Sequence, residues 1–285
     1  MKMERTVIYT IEKPGNILTF LKAGQGYSAR LITALRQAEN GILLNGTRAR
    51  TTQSLAPGDT LTVNIPLGES EIPPVNLPLE VVYEDEDVLV VNKAAFVVCH
   101  PTRNHQGDTL ANAVAYYLAQ RGKVCTFRAI NRLDRDTTGL VVIALNRLAA
   151  GRLRESLKKT YYALAEGYIA SDGTVDLPIE RVDARKILRR VGENGPRAVT
   201  HYKVLKHYED ATLLELHLET GRTHQIRVHM RAIGHPLVGD TMYGSAHATT
   251  DHQCLHCGKV TFLQPVSGER KTVETRPDWD CIKNG

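Results

Sequence analysis

No apolar run in this sequence approaches the length needed to cross a bilayer, and the opening residues Met1-Lys2-Met3-Glu4-Arg5 lack the apolar core of a signal peptide. Neither a membrane partner nor export is expected. Cysteine is scarce: there are five, an odd number, thinly spread. The economical reading is a reduced, cytoplasmic setting. Also missing is a second Cys-x-x-Cys. Cys254 and Cys257, with His247, His252 and His256 nearby, are zinc-type donors, but no second pair completes a site and Cys281 is distant. No metal is expected. Internal repeats and low-complexity segments are absent. A large excess of one charge is lacking too: 36 Lys and Arg against 31 Asp and Glu give +5 and a pI near 8.9. So mild a basic bias allows a polyanionic partner without requiring one.

What is present suits a globular protein of one large and one small domain, with 285 residues, 42% hydrophobic and 24% charged. Val7–Ile11 reads as a short strand, Ile17–Leu21 has helical spacing, and Ser28 can cap a helix from Ala29 to Glu39. Gly41–Thr47 reads as a strand with an Asn-Gly turn, and Leu55–Val63 as a Pro-Gly turn with a closing strand. Gly68–Pro78, rich in Glu and Pro, resists helix and ladder alike and is the expected linker. Beyond it, Leu79–Tyr83 and Val88–Asn92 are candidate strands joined by the acidic turn 84–87. Asp108 or Thr109 can cap a helix that turns Leu110, Val114, Tyr117 and Leu118 to the core. Leu148–Lys159 has helical spacing, Tyr161–Ile169 reads as a strand, and Ala198 opens another towards Val204. The basic segment Val182–Pro196 suits an exposed loop or a β-arm able to lie along a nucleic acid.

Chemistry concentrates in two stretches. In the first, Asn131-Arg132-Leu133-Asp134-Arg135-Asp136-Thr137-Thr138-Gly139-Leu140 feeds the apolar run Val141–Leu145, a buried strand by its β-branched content. Its acids stand between arginines, which favour the ionised form and so suit a carboxylate nucleophile or base better than a proton donor. A solvated charged turn is the plainer alternative. In the second, the alternating run Leu213–Leu218 leads through Thr220-Gly221 into Arg222-Thr223-His224-Gln225-Ile226-Arg227-Val228-His229-Met230-Arg231. These side chains donate well to phosphates and base edges.

Together the two stretches resemble the RluA-type family of RNA pseudouridine synthases, whose signatures are close to HRLDxxTSG and GRTHQIRVH. Lys159–Ala163, Asn92–Pro101, Gly234–Asp240, Tyr243-Gly244 and the final strand Leu255–Pro265 continue the resemblance in order, from about Leu79 to Trp279. Cys257 stands there where a small residue would pack. The resemblance implies isomerisation of uridine to pseudouridine within RNA, without a cofactor. Asp134 matches the catalytic aspartate, as nucleophile or general base; Arg227 the arginine that pairs with it; Tyr161 the tyrosine that stacks on the uracil and helps remove the proton from carbon five. Tyr162 is expected on the opposite face. Arg132 would enter the RNA, and Arg222, His224 and Gln225 belong to RNA contact or active-site architecture. Asp136 is the competing acid, expected to close the loop. Asn131 and Thr138 replace the usual histidine and serine, so altered loop support is expected.

The helix, helix, hairpin order near the N-terminus resembles the S-four-like RNA-binding domain, in which Arg30, Arg36, Arg48 and Arg50 would meet phosphates. The expected architecture is therefore α+β: residues 1–67 a small α/β RNA-binding domain, 68–78 a linker, and 79–285 a catalytic domain. The catalytic domain should be a mixed, largely antiparallel curved sheet with a central cleft, since its strands follow closely with few helical crossovers. A monomer acting on ribosomal or transfer RNA is expected. The rivals are a catalytically silent RNA-binding or RNA-folding factor with the same fold, and a hydrolase using Asp134 with Asp136, two acids that share one loop instead of flanking a substrate.

Overall fold

In the N-terminal portion of the computed structural model, which describes residues 4–183, 187–245 and 250–279, short elements close around one small core. The strand Glu4–Thr10 pairs antiparallel with Thr60–Pro66, which pairs on its other side with Ile42–Leu44. Asn45 and Gly46 both hold positive φ in the two-residue turn to Thr47–Arg48, the geometry an Asn-Gly hairpin requires. Ser28 Oγ accepts from Leu31 N at 3.2 Å and caps the helix Ala29–Gln37, which buries Leu31, Ile32 and Leu35 against Val7, Leu61 and Val63. Ile17–Thr19 forms a helical turn that widens into a π-turn over Phe20–Gly24.

Residues 68–78 form neither helix nor strand. They are nevertheless tied along the larger portion: Thr126 Oγ1 donates to the Glu69 carbonyl at 2.9 Å, Asn112 Nδ2 to that of Pro73 at 2.9 Å, and Val75 N to that of Asn112.

A nine-stranded sheet organises the rest. Its order is Gly173–Asp176, Val199–His207, Ala211–Leu218, Lys158–Glu166, Leu255–Leu263, Thr138–Ala144, Val88–Lys93, Glu80–Glu84, with Arg270–Glu274 also pairing onto Leu255–Leu263. Every pairing is antiparallel except one. Leu255–Leu263 meets Thr138–Ala144 in parallel through His256 with Thr138 and Cys257 with Gly139. Val88–Val91 and Leu140–Ala144 are fully buried, consistent with their unbroken apolar run. The mixed α+β class and largely antiparallel sheet agree with the sequence reading. No helix among the described residues is long and apolar enough to cross a membrane.

Thr109, not Asp108, caps the helix Leu110–Ala119, in a reciprocal box with Asn112; Asp108 is engaged by His105 instead. The helix expected over Leu148–Lys159 ends at Ser156, because Leu157 turns to extended backbone and the next strand already begins at Lys158. That strand ends at Glu166, three residues before the expected Ile169, where Gly167 adopts positive φ. In the basic segment Val182–Pro196, Arg189–Val191 pairs with Ile179–Arg181 as a hairpin, while residues 184–186 lie outside the described residues, as do His247 and Cys281.

Candidate active site

The loop that carries Asp134 is fastened from several sides. Asn131, 5% exposed, donates from Nδ2 to the Leu140 carbonyl and accepts from Val142 N, both at 2.9 Å, so one amide ties the loop's entry to its exit. Lys93, 2% exposed, reaches beneath the loop and donates to the carbonyls of Ala94, Val97 and Arg135 at 2.8–2.9 Å. Burial pushes its ammonium down to about 8, with the charges of Asp134 and Asp136 among those opposing the shift. Thr138 Oγ1 meets His256 Nδ1 at 2.8 Å, and Gln253 Nε2 donates to Thr137 Oγ1 at 3.0 Å. Gly139 then passes so close to the neighbouring strand that a Cβ would stand 2.4 Å from the Cys257 carbonyl. Its φ of 109° lies in the region glycine favours, so both space and backbone demand it there.

Cross-strand register brings the second element in. Gly139 lies opposite Cys257, and Cys257 opposite Tyr161, so the loop's exit and the tyrosine share one row across three strands about 4.8 Å apart. Tyr161 belongs to the main core while Tyr162 packs among Leu164, Cys254 and Trp279, the opposite face, as strand alternation requires. Burial, with the Asp134 charge adding to it, pushes the Tyr161 phenol well above its usual range. It stays protonated. Burial likewise pushes the Cys257 thiol up to about 12, which disfavours the thiolate a zinc site would need.

The helix Gln225–Ala232 supplies the third element, in a segment to which the sequence reading assigned no structure. His224 stands at its N-terminus with φ 57°. One turn in, Arg227 is 4% exposed and forks onto Asp240, with Nε to Oδ2 at 2.7 Å and Nη2 to Oδ1 at 2.8 Å. Its remaining nitrogen, Nη1, faces Asp134 Oδ2 at 3.3 Å. Burial works against the guanidinium's charge, but the Asp240 and Asp134 carboxylates outweigh it and the net shift is upward. His224 Nε2 lies 3.8 Å from the same Asp134 oxygen, while its Nδ1 meets the Tyr243 hydroxyl at 2.8 Å. Burial pushes His224 down, partly offset by Asp134, so the ring is neutral near pH 7. Both contacts fall on Asp134 Oδ2. Among the described residues no donor reaches Oδ1.

Asp134, Tyr161, Arg227, Arg132, Arg222 and His224 thus line one cleft, of about 70 Å³, with the Gln225 backbone at its wall. Arg132 and Arg222 are exposed at its mouth. Gln225 is 2% exposed, and its amide is consumed internally by Thr220, the Arg222 N–H, the Val199 carbonyl and Thr200. Its part is architectural. Asp136 binds its neighbour Arg135 at 2.6 Å and does not enter the cleft. Arg30, Arg36, Arg48 and Arg50 are exposed on the N-terminal portion, outside this cleft. A larger hollow of about 700 Å³, reaching from Pro78 to Trp279, contains none of Asp134, Tyr161 or Arg227. Asp240 and Tyr243 were recognised only as parts of sequence motifs. Their work, one bracing Arg227 and the other His224, depends on the chain returning after the helix, and no spacing in the sequence announces it.

A carboxylate braced by a doubly anchored guanidinium beside a protonated phenol is suited to attack on, or proton removal from, a bound ring. Residues 87–232 match the family model described as RNA pseudouridylate synthase. The chain is 41% identical over 226 residues to an uncharacterized RNA pseudouridine synthase, YhcT, of Bacillus subtilis, covering 76% of this chain and 75% of that one. It is 38% identical over 248 residues to the ribosomal large subunit pseudouridine synthase D of Escherichia coli O157:H7, covering 80% and 76%. Among solved structures, human RNA pseudouridylate synthase domain containing 1 superposes with a TM-score of 0.59 at 30% identity, over 72% of this chain and 86% of that one. With the Asp134 loop, the arginine helix and the tyrosine strand all inside the matched residues, the chain belongs to the RNA pseudouridylate synthase family.

Proposed function

We propose that this chain isomerises specific uridines of ribosomal RNA to pseudouridine, with Asp134 as the group that attacks the sugar or the uracil ring. The observation that carries the reading is the Asp240–Arg227–Asp134 arrangement, a carboxylate held by a guanidinium that is itself fixed in direction by a second carboxylate. The ribosomal substrate is proposed from the relatives named as large-subunit pseudouridine synthases. Since the base inside a helix is out of reach, the target uridine is flipped out or lies in a loop. Tyr161, kept as a neutral phenol by burial, stacks on the uracil more readily than it takes a proton from it. Arg132, Arg222 and His224 hold the flipped nucleotide and its phosphates. Residues up to 67 act as an S-four-like RNA-binding module joined by 68–78 to the catalytic portion, with Arg30, Arg36, Arg48 and Arg50 on phosphates, and the chain works as a monomer.

Asp134→Asn tests the assignment, because it keeps the side chain's size while removing its charge and its nucleophilic oxygen. Pseudouridine formation should fall by several powers of ten, with RNA affinity nearly unchanged since phosphate contacts dominate binding. Asp136→Asn should cost far less, and Arg227→Ala should be severe, leaving Asp240 buried without its partner. Near-normal turnover in Asp134→Asn would falsify the mechanism.

A further inference from the structure

Apart from the Asp134 cleft, a groove of about 350 Å³ lies between the N-terminal portion and the catalytic sheet. Arg30 enters it from the helix Ala29–Gln37, Arg147 and Arg154 from the helix Arg147–Ser156, and Arg128 from the segment that leads to the catalytic loop. No carboxylate lines it, and among the described residues no ion pair reaches any of the four. Arg30, Arg147 and Arg154 are exposed; Arg128 is half-buried, held by the carbonyls of Thr126 and Leu67.

Two features show that the crowding of positive charge is costly as it stands. Arg30 and Arg147 occupy the first turns of their helices, where the backbone N–H groups already present positive charge, and neither first turn holds an acid. Burial, with the charge of Arg147 added, pushes the Arg128 guanidinium down from its ordinary value. An anion in the groove would relieve both. The two helix starts are brought together by packing, since Leu148, one residue after Arg147, is buried in the N-terminal core. The groove is therefore a joint product of both portions of the chain.

Its position fixes a distance. The Ala144 N–H donates to the Arg128 carbonyl at one end of the strand Thr138–Ala144, and the Asp134 loop precedes the other end. Seven residues of strand separate them, about 20 Å at 3.3 Å per step. From these observations, and resting on the RNA-modifying activity proposed above, we infer that the groove of Arg30, Arg128, Arg147 and Arg154 is a second RNA site, which grips the phosphate backbone of the substrate about 20 Å from the uridine being modified. At about 3.4 Å per phosphate step along a strand, that reach corresponds to roughly six nucleotides of stacked helix. The groove therefore favours RNA that continues as a structured stem away from the target, and it gives no preference for sequence.

The test uses the full chain with Arg147→Gln and Arg154→Gln combined, both exposed and outside the Asp134 cleft. Two probes are compared: the dinucleotide UpU, whose single phosphate cannot span the distance, and a stem-loop RNA of about 20 base pairs of arbitrary sequence. For the stem-loop, the variant's affinity should fall tenfold or more at low salt, and the slope of log affinity against log salt should become shallower by nearly two. For UpU, parent and variant should bind alike. A control with Lys203→Gln and Arg270→Gln, which removes the same charge elsewhere, should leave the stem-loop slope within half a unit of the parent's, and matched melting curves show that all three fold. Unchanged affinity and slope in the Arg147 and Arg154 variant, or an equal loss in the control, overturns the inference. Pseudouridine formation by the parent on ribosomal RNA is measured separately; its absence would sink the proposed activity, while the stem-loop comparison would still decide whether the groove holds RNA.

Discussion

Acidification should weaken the fold through His256. This side chain is 2% exposed, bridges Thr138 to Thr275, and is pushed by burial from about 6.5 down to about 4. The folded state therefore favours the neutral ring over the charged one. The stability this contributes is fully present above about pH 6.5 and is lost as pH falls towards about 4, a total of about 3 kcal/mol. Burial moves His224 in the same direction. Urea unfolding of the parent and of His256→Gln at pH 7 and pH 4.5 reads this out: the variant should lose markedly less stability on acidification. Equal losses would show that another group controls the acid limit. At this scale the sequence was informative about which side chains share one cleft and nearly silent about what supports them. Asp134, Arg227 and Tyr161 stand in motifs whose residue types match their chemistry. Asp240, Tyr243 and Lys93 act only through neighbours that folding delivers, and a carboxylate thirteen residues after an arginine has no spacing that marks the pair. Asn131 sits between these cases. Altered loop support was expected from its departure from histidine, and its amide does fasten both ends of the loop.

Among elements, the catalytic loop depends on a lysine that never touches the cleft. Lys93→Met keeps the apolar stem but removes the three donors that serve Ala94, Val97 and Arg135. Carbonyls left unpaired in a closed site cost about 1–3 kcal/mol each where water cannot reach them. The variant should melt lower and lose turnover more than RNA affinity, because the loop carrying Asp134 loosens while the phosphate contacts stay. A variant with full turnover and a lower melting point would separate the clamp from the chemistry. The long buried strands and the hairpin turns were legible from apolar runs and Asn-Gly or Pro-Gly punctuation, whereas the short polar strands Gly173–Asp176 and Arg270–Glu274 carry no such run and were not. The helix Gln225–Ala232 was not. Ile226, Val228 and Met230 alternate as in a strand, yet His224 opens a helical turn and buries all three together with Gln225, Arg227 and His229. The polar Gln225, Arg227 and His229 standing between the apolar residues give the stretch a strand-like alternation that masks its helical period.

For the whole molecule, the N-terminal portion is a structural partner of the catalytic sheet as well as a candidate RNA module. Leu148 completes its core, and Arg5 forks onto Asp87, 1% exposed, with Nε and Nη2 at 3.0 and 3.1 Å. Asp87 is also held by Asn146 and Gln264, so it keeps partners when Arg5 is gone. A fragment beginning at Leu79 should fold on its own large core but melt lower, with about 2–3 kcal/mol lost through exposure of Leu148 alone. It should retain pseudouridine formation, bind RNA more weakly and show a shallower salt dependence, which titration at several ionic strengths measures. Equal affinity and slope for fragment and full chain would remove the residues before 79 from RNA binding.

The single parallel step in the sheet also sets a timetable. Thr138 and His256 are 118 residues apart, yet they meet at the loop that carries Asp134. Closing so long a span is entropically unfavourable until the strands between are in place, so this seam is among the last parts to form. During synthesis the reactive loop emerges well before the strand that secures it. A growing chain would thus present its N-terminal arginines early, while the Asp134 cleft would be completed only once Leu255–Leu263 had cleared the ribosome and docked.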